Sequence, residues 1–245
     1  MSARYDTLGR EYATRRVPDI RIARQIDVAL SGATRIVNIG AGAGSYEPCD
    51  KALVAVEPSA TMIAQRSASA APVVQAVAEA LPFATNQFDL AMAVLTMHHW
   101  TDWRRGLEEA LRVANGRLVL LTWLNEQLPF WLYDYFPAME SVNRDLFPGV
   151  DELRAVLGDF SVETVPVPHD CTDGFLCAYW RRPEAYLDVG VRQSISLFAM
   201  IEEVEVGVDR LAHDLASGKW HADNTGLLDV DAVDFGYRLL STVSD

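Results

Sequence analysis

Short apolar runs rich in β-branched residues recur through the first half of the chain: Ile36-Val37-Asn38-Ile39, Leu53-Val54-Ala55-Val56, Val73 to Val77, Asp89 to Leu95 and Arg117 to Trp123. Runs without polar alternation read as strands buried on both faces, the pattern of a parallel sheet. Helical spacing lies between them. Ile22, Ile26, Ala29 and Leu30 mark a helix entered near Pro18, and Ser59 is placed to cap a short helix that turns Met62 and Ile63 inward. Leu107 and Leu111 stripe an amphipathic helix over 102–113, and Asn115-Gly116 turns the chain into the fifth strand. Farther on, 151–157 reads as a helix stopped by Gly158, and 160–167 alternates like a sixth strand. Pro183 opens further helices, including the series Ile201, Val204, Val208, Leu211 and Leu215, ended near Gly218. Phe235 to Ser241 is expected to return as an antiparallel edge strand. Strands alternating with helices define an α/β fold.

The chain is organised around Arg35-Ile36-Val37-Asn38-Ile39-Gly40-Ala41-Gly42-Ala43-Gly44. A buried strand feeds straight into glycines at alternate positions, which let a ligand lie against the main chain. Open α/β sheets bind ligands outside the carboxyl ends of their strands, where this turn falls. The second apolar run ends on Glu57, whose carboxylate can accept both hydroxyls of a ribose. Loop and acid together read as a nucleoside-type cofactor site.

The dinucleotide fingerprint is G-x-G-x-x-G/A, whereas the glycines here run G-x-G-x-G and Ser45 holds the third position. The glycine series and Glu57 resemble motifs I and II of class I S-adenosylmethionine (SAM) dependent methyltransferases. The resemblance continues through Ala78-Glu79-Ala80-Leu81-Pro82-Phe83, Gln87-Phe88-Asp89, Leu95-Thr96-Met97-His98-His99-Trp100, Leu111-Arg112-Val113 and Gly116 to Leu121. This order is similar to the ubiquinone/menaquinone-biosynthesis-type (methyltransferase type 11) small-molecule branch and covers roughly residues 5–123. It implies a Rossmann-like seven-stranded, mostly parallel sheet with an antiparallel last strand and a helical lid insertion. One domain is expected over 1–245: an N-terminal arm and helix (1–34), a SAM-binding core (35–123) and cap or lid insertions (124–150 and 169–230). The resemblance places the cofactor against Tyr12, Arg16, Asn38, Gly40, Ala41, Gly42, Gly44, Glu57, Pro58, Met62, Ala78, Glu79 and Leu95. The resemblance implies an arm that folds over the cofactor, from which Arg16 can pair with the methionine carboxylate.

Some positions depart from the family pattern. A βαβ crossover needs a dozen residues or more, yet only about eight separate Gly44 from the second strand, so the helix after the glycine loop is expected to be missing or reduced to a turn. Val77 stands where many relatives carry the acid that binds the adenine amino group; Glu79 or the Ala78 backbone is the substitute. Asn38 also replaces a common acid.

Methyl transfer asks the protein to align an acceptor with an activated methyl carbon and exclude water. A base is needed only if the acceptor is protonated when it attacks. Candidates are His98 and His99, at the mouth of the site after strand four, and His169 beside Asp170. His213 and His221 read as solvated, and no histidine has metal-ligand spacing. The run Phe130 to Phe136 is either a core helix or a substrate-facing cap. In the second case Trp131, Tyr135 and Tyr179 would roof an apolar acceptor.

Of 245 residues, half are hydrophobic and 22% charged, enough for one full core. A net charge of −13 argues against a nucleic-acid partner, with Arg15-Arg16 and Arg181-Arg182 reading as solvated faces. Cys49, Cys171 and Cys177 have no metal-ligand spacing and suit a reducing compartment. With no membrane-length apolar run and no signal-like start, a cytoplasmic protein is expected. The sequence therefore reads as a methyltransferase that uses SAM and releases S-adenosylhomocysteine, acting on a small molecule by O-, C- or N-methylation. Its oligomeric state is left open. The alternatives are a SAM-binding accessory protein without transfer activity and, less favoured, an NAD(P)-dependent oxidoreductase.

Overall fold

A computed structural model describes residues 15–124 and 130–242. The chain enters through helix α1 (Ile20–Ala29), capped by Asp19, whose carboxylate accepts from Arg21 N–H. Strands β1 (Arg35–Ile39) and β2 (Ala52–Val56) follow, then the short helix α2 (Ala60–Ile63), β3 (Val73–Val74), β4 (Leu90–Val94), helix α3 (Trp103–Val113) and β5 (Leu118–Trp123). Ser59 caps α2 by accepting from Met62 N–H, and Asp102 caps α3 by accepting from Arg105 N–H. After β5 come α4 (Leu132–Tyr135), α5 (Ala138–Leu146) and α6 (Val150–Leu157), then β6 (Phe160–Thr164) and β7 (Val167–Pro168). The excursion beyond β7 carries α7 (Val189–Ser194), α8 (Val204–Ala216), α9 (Lys219–Asp223) and α10 (Thr225–Leu228) before β8 (Ala232–Val233) and β9 (Tyr237–Thr242).

Seven strands form one sheet in the order β3-β2-β1-β4-β5-β9-β6. The pairs from β3 to β5 are parallel, and β9 runs antiparallel to both neighbours. The sheet confirms the Rossmann-like expectation but corrects the place of the last strand. Strand β9 is interior, because Tyr237, Leu239 and Leu240 are buried between β5 and β6. The true edge is β6, whose residues after Phe160 are exposed.

Alternate residues of each central strand enter two cores. Ile36, Leu53, Met92, Leu121 and Leu239 pack beneath α1 and the excursion. Val37, Val56, Ala93, Leu120 and Leu240 pack against Leu107 and Val113 of α3 and Leu153 and Leu157 of α6. Both faces are covered, which is why these strands read as continuous apolar runs. The β7–β8 ladder is the stem of the excursion. The expected loss of a helix is also observed: residues 40–51 cross from β1 to β2 through turns alone.

Candidate active site

A cavity of about 520 Å³ opens at the carboxyl ends of the central strands. Its walls follow the sheet order: Val77, Ala78 and Glu79 beyond β3, Glu57 and Pro58 beyond β2, Asn38 and Gly40 to Ala43 at β1, and Val94 to Thr96 at β4. Gly40 and Ala41 close the β1 turn by donating to Val56 O at 2.9 and 3.0 Å. Gly40 has φ +70°, and a Cβ there would overlap the Thr96 side chain. Gly42 has φ +52°, and its Cβ would lie 3.4 Å from Met62 Cε. Left-handed backbone and close neighbours explain glycine at both positions. Gly42→Val should keep the sheet yet lose the thermal shift given by S-adenosylhomocysteine; a full shift in the variant would remove the loop from the cofactor contact.

Glu57 is buried, and two backbone groups fix its carboxylate: Gly42 N–H donates to Oε2 and Ser59 N–H to Oε1, both at 2.9 Å. Glu79 faces the same cavity, with Oε1 accepting from Thr101 N–H at 2.6 Å and Asp102 N–H at 3.0 Å. Tyr46 and Leu95, which both line the cavity, adopt left-handed φ of 60° and 50°. Such backbone is uncommon for bulky residues and clusters at functional sites.

Arg16 lines the cavity, and its guanidinium is paired with Asp173, which is wholly buried. The Tyr46 hydroxyl donates to Asp173 Oδ2 at 3.0 Å. Burial, reinforced by the Asp173 charge, drives the Tyr46 phenol far above its ordinary range, so it remains a donor. Gly174 N–H also donates to Arg15 O. The segment before α1 is thereby tied to the excursion and to the glycine loop.

A second, smaller chamber of about 60 Å³ shares Arg16, Leu95, His98 and His99 with the first. Trp123, Phe147, Phe175, Leu197 and Tyr237 supply its apolar wall. The His98 ring lies tilted against His99 and Phe147, with centroids 3.8 and 5.0 Å away. Its Nδ1 is shut off from solvent without a hydrogen-bond partner. Burial first, then the Arg16 charge, pushes the imidazole down to about 3, so it is uncharged at neutral pH. The sign for stability follows from linkage. Between about pH 6.5 and 3 the unfolded chain binds a proton that the fold refuses, so stability falls as pH drops across this window. Comparison of urea unfolding at pH 7 and 4.5 should show a shallower acid loss in His98→Phe, by up to about 1.4 kcal/mol per pH unit. Equal losses in both proteins would contradict a ring held neutral by the fold.

Among the sequence-derived candidates, Arg16, Asn38, Gly40, Ala41, Gly42, Glu57, Pro58, Met62, Ala78, Glu79, Leu95, His98 and His99 line the larger cavity. Tyr12 lies outside the described residues. Gly44 faces away, towards Glu47 and Arg66. His169 is not brought to either cavity. It sits at the excursion's stem, where its backbone N–H donates to Asp231 O and its Nδ1 lies 3.1 Å from the same oxygen. The aromatic roof is also corrected. Trp131, Tyr135 and Tyr179 line neither cavity. Trp131 packs edge-on against Tyr186 and Trp220 and donates from Nε1 to Trp180 O at 2.8 Å; Tyr135 donates to Asp214 at 3.0 Å. They form the core where α4 packs against the excursion.

Sequence reasoning passed over Tyr46, Thr96 and Trp100 in the cavity and Asn143, Phe147 and the 194–197 turn in the chamber. Tyr46 and Thr96 adjoin recognised motifs and were findable by position. The chamber residues carry no local signal.

The family described as "Methyltransferase domain" matches residues 37–121. A crystal structure described as a methyltransferase from an antibiotic biosynthesis pathway of Anabaena variabilis superposes with a TM-score of 0.87 at 32% identity, covering 94% of this chain and 99% of that one. A SAM-dependent methyltransferase from Thermotoga maritima is similar at 25% identity and TM-score 0.53, covering 67% of this chain and 83% of that one. The fold is shared with phosphoethanolamine N-methyltransferase 2 of Haemonchus contortus, solved with S-adenosylhomocysteine (15% identity, TM-score 0.53, 93% of this chain and 53% of that one). No curated protein matched the chain by sequence. The chain belongs to the class I SAM-dependent methyltransferases. SAM is its cofactor. Among the described residues no helix is long and apolar enough to cross a membrane.

Proposed function

We propose that this chain moves a methyl group from SAM, bound in the larger cavity, to a small apolar or aromatic acceptor seated in the chamber beside it. The observation that carries this reading is the shared wall: Leu95, His98 and His99 face both spaces, so the two reactants meet there. The cavity's chemistry fits the cofactor. Glu57 offers an oriented carboxylate to the ribose, Gly42 leaves the main chain open to it, and Ala78 and Glu79 stand on the adenine side. When bound, SAM supplies a methyl group already activated by its sulfonium. The chain's part is to hold the acceptor against that face and keep water out, and apolar walls do both. His98 and His99 are placed to orient an acceptor hydroxyl or amine and to receive its hydrogen bond. We assign His169 to the stem and give it no catalytic role. The acidic chain makes nucleic acid an unsuitable substrate.

Leu197→Trp should fill the chamber while leaving the cofactor cavity intact. S-adenosylhomocysteine affinity is then expected within about twofold of wild type, with turnover of a panel of small phenols and heteroaromatic amines lost at least tenfold. Unchanged turnover would place the acceptor elsewhere.

A further inference from the structure

Residues 40–51 lack a helix, yet the glycine loop is braced from behind by an ion pair. Arg66, on the turn after α2, and Glu47, after the glycines, are both buried, with side chains 4% and 8% exposed. Arg66 Nη2 donates to Glu47 Oε1 and Oε2 at 2.8 Å each and to Ala71 O at 3.0 Å, and Nη1 donates to Gly42 O at 3.2 Å. Ala71 N–H closes the cluster on Glu47 Oε2 at 3.2 Å. Burial of a pair is costly, the more so with Arg66 Nε left without a partner, so a pair kept here suggests a task beyond stability.

The task follows from Asn38. Its Nδ2 donates to Glu47 Oε1 at 3.2 Å. A carboxylate ion-paired with Arg66 can only accept, so this contact decides which way the amide points. With Nδ2 committed to Glu47, the atom Asn38 offers to the cavity it lines is the carbonyl oxygen, which calls for a donor. Sheet order assigns that donor. Glu57 on β2 is taken by the ribose and the β3 side by the adenine, which leaves the β1 position to the amino-acid end of the cofactor. We infer that Glu47, held by Arg66, fixes the Asn38 carbonyl as the acceptor for the α-ammonium group of the cofactor's methionine portion. This rests on the cofactor placement proposed above. It gives the chain an indirect replacement for the acid that Asn38 displaces: Asn38 is the binding residue, and Glu47 and Arg66 are positioning residues.

Calorimetric titration with two probes tests it. S-adenosylhomocysteine carries the ammonium group; 5′-methylthioadenosine keeps adenine, ribose and sulfur but lacks the amino-acid tail. Glu47→Gln retains the shape but lets the Asn38 amide turn either way. It should weaken S-adenosylhomocysteine roughly tenfold, as loss of one charge-assisted hydrogen bond does, with methylthioadenosine within about twofold of wild type. Asn38→Leu leaves the ion pair in place, should show the same split, and decides the matter if Glu47→Gln does not fold. Equal loss of both probes would make the cluster a structural brace only and overturn the inference, as would unchanged affinity for both. Wild type that binds neither probe would instead overturn the cofactor placement.

Discussion

Glu57→Ala is expected to lose roughly 10–150-fold in S-adenosylhomocysteine affinity, the loss of hydrogen bonds to a charged group worth about 1.5–3 kcal/mol. The carboxylate has two jobs in the structure. It presents acceptor oxygens to the cavity, and it gathers Gly42 N–H and Ser59 N–H around itself at 2.9 Å. Removing it deprives the ligand of its partner and frees both the glycine loop and the cap of α2. Glu57→Gln separates the two effects, since one amide oxygen can still receive one of those N–H groups. Calorimetry should therefore rank wild type above Glu57→Gln and Glu57→Gln above Glu57→Ala. Equal dissociation constants in three folded proteins would take the ribose away from Glu57.

The second large effect concerns stability rather than binding. Trp131→Ala is expected to cost about 3–5 kcal/mol, or roughly 6–20 °C in Tm for a chain of this size. Trp131 is buried against Trp220, Tyr186 and Tyr135 and anchored by its indole N–H to Trp180 O. Truncation leaves a cavity among rings and an orphaned carbonyl. Because Trp131 touches neither cavity, relative turnover across a set of acceptors, counted per folded molecule, should be unchanged. An altered acceptor preference at near-wild-type stability would return Trp131 to the role of substrate roof.

What the sequence could and could not reveal follows from the range of the interactions involved. Strands β1, β2, β4 and β5 were legible because each is a local apolar run buried on both faces. Gly40, Gly42 and Glu57 were legible because a turn and a strand tip announce themselves within a few residues. Strand β9 was seen as antiparallel but placed at the edge, since position in a sheet depends on partners such as Val119 and Val162, far away in the chain. Strand β3 proved shorter than its apolar run, two residues of the expected five. The aromatic cluster after β5 misled for a similar reason. Its composition suits a roof and a core equally, and only Trp180, Tyr186 and Trp220, brought in by the fold, decide for the core. Arg16 is legible by its place on the arm, but its link through Asp173 to Tyr46 spans the chain and leaves no local trace. The Glu47–Arg66 cluster is intermediate: the missing helix follows from spacing, while the ion pair that stands in for it has no local signature.

Hydrogen–deuterium exchange with and without S-adenosylhomocysteine tests the central claim most directly, because it reports where the ligand sits without assuming an acceptor. Protection is predicted in peptides covering 38–46, 57–62 and 94–99, the segments that wall the larger cavity, with no change at the stem residues 167–169 and 231–233. An NADH control should protect none of them. Protection confined to the stem or the excursion, or an NADH pattern matching that of S-adenosylhomocysteine, would contradict the account.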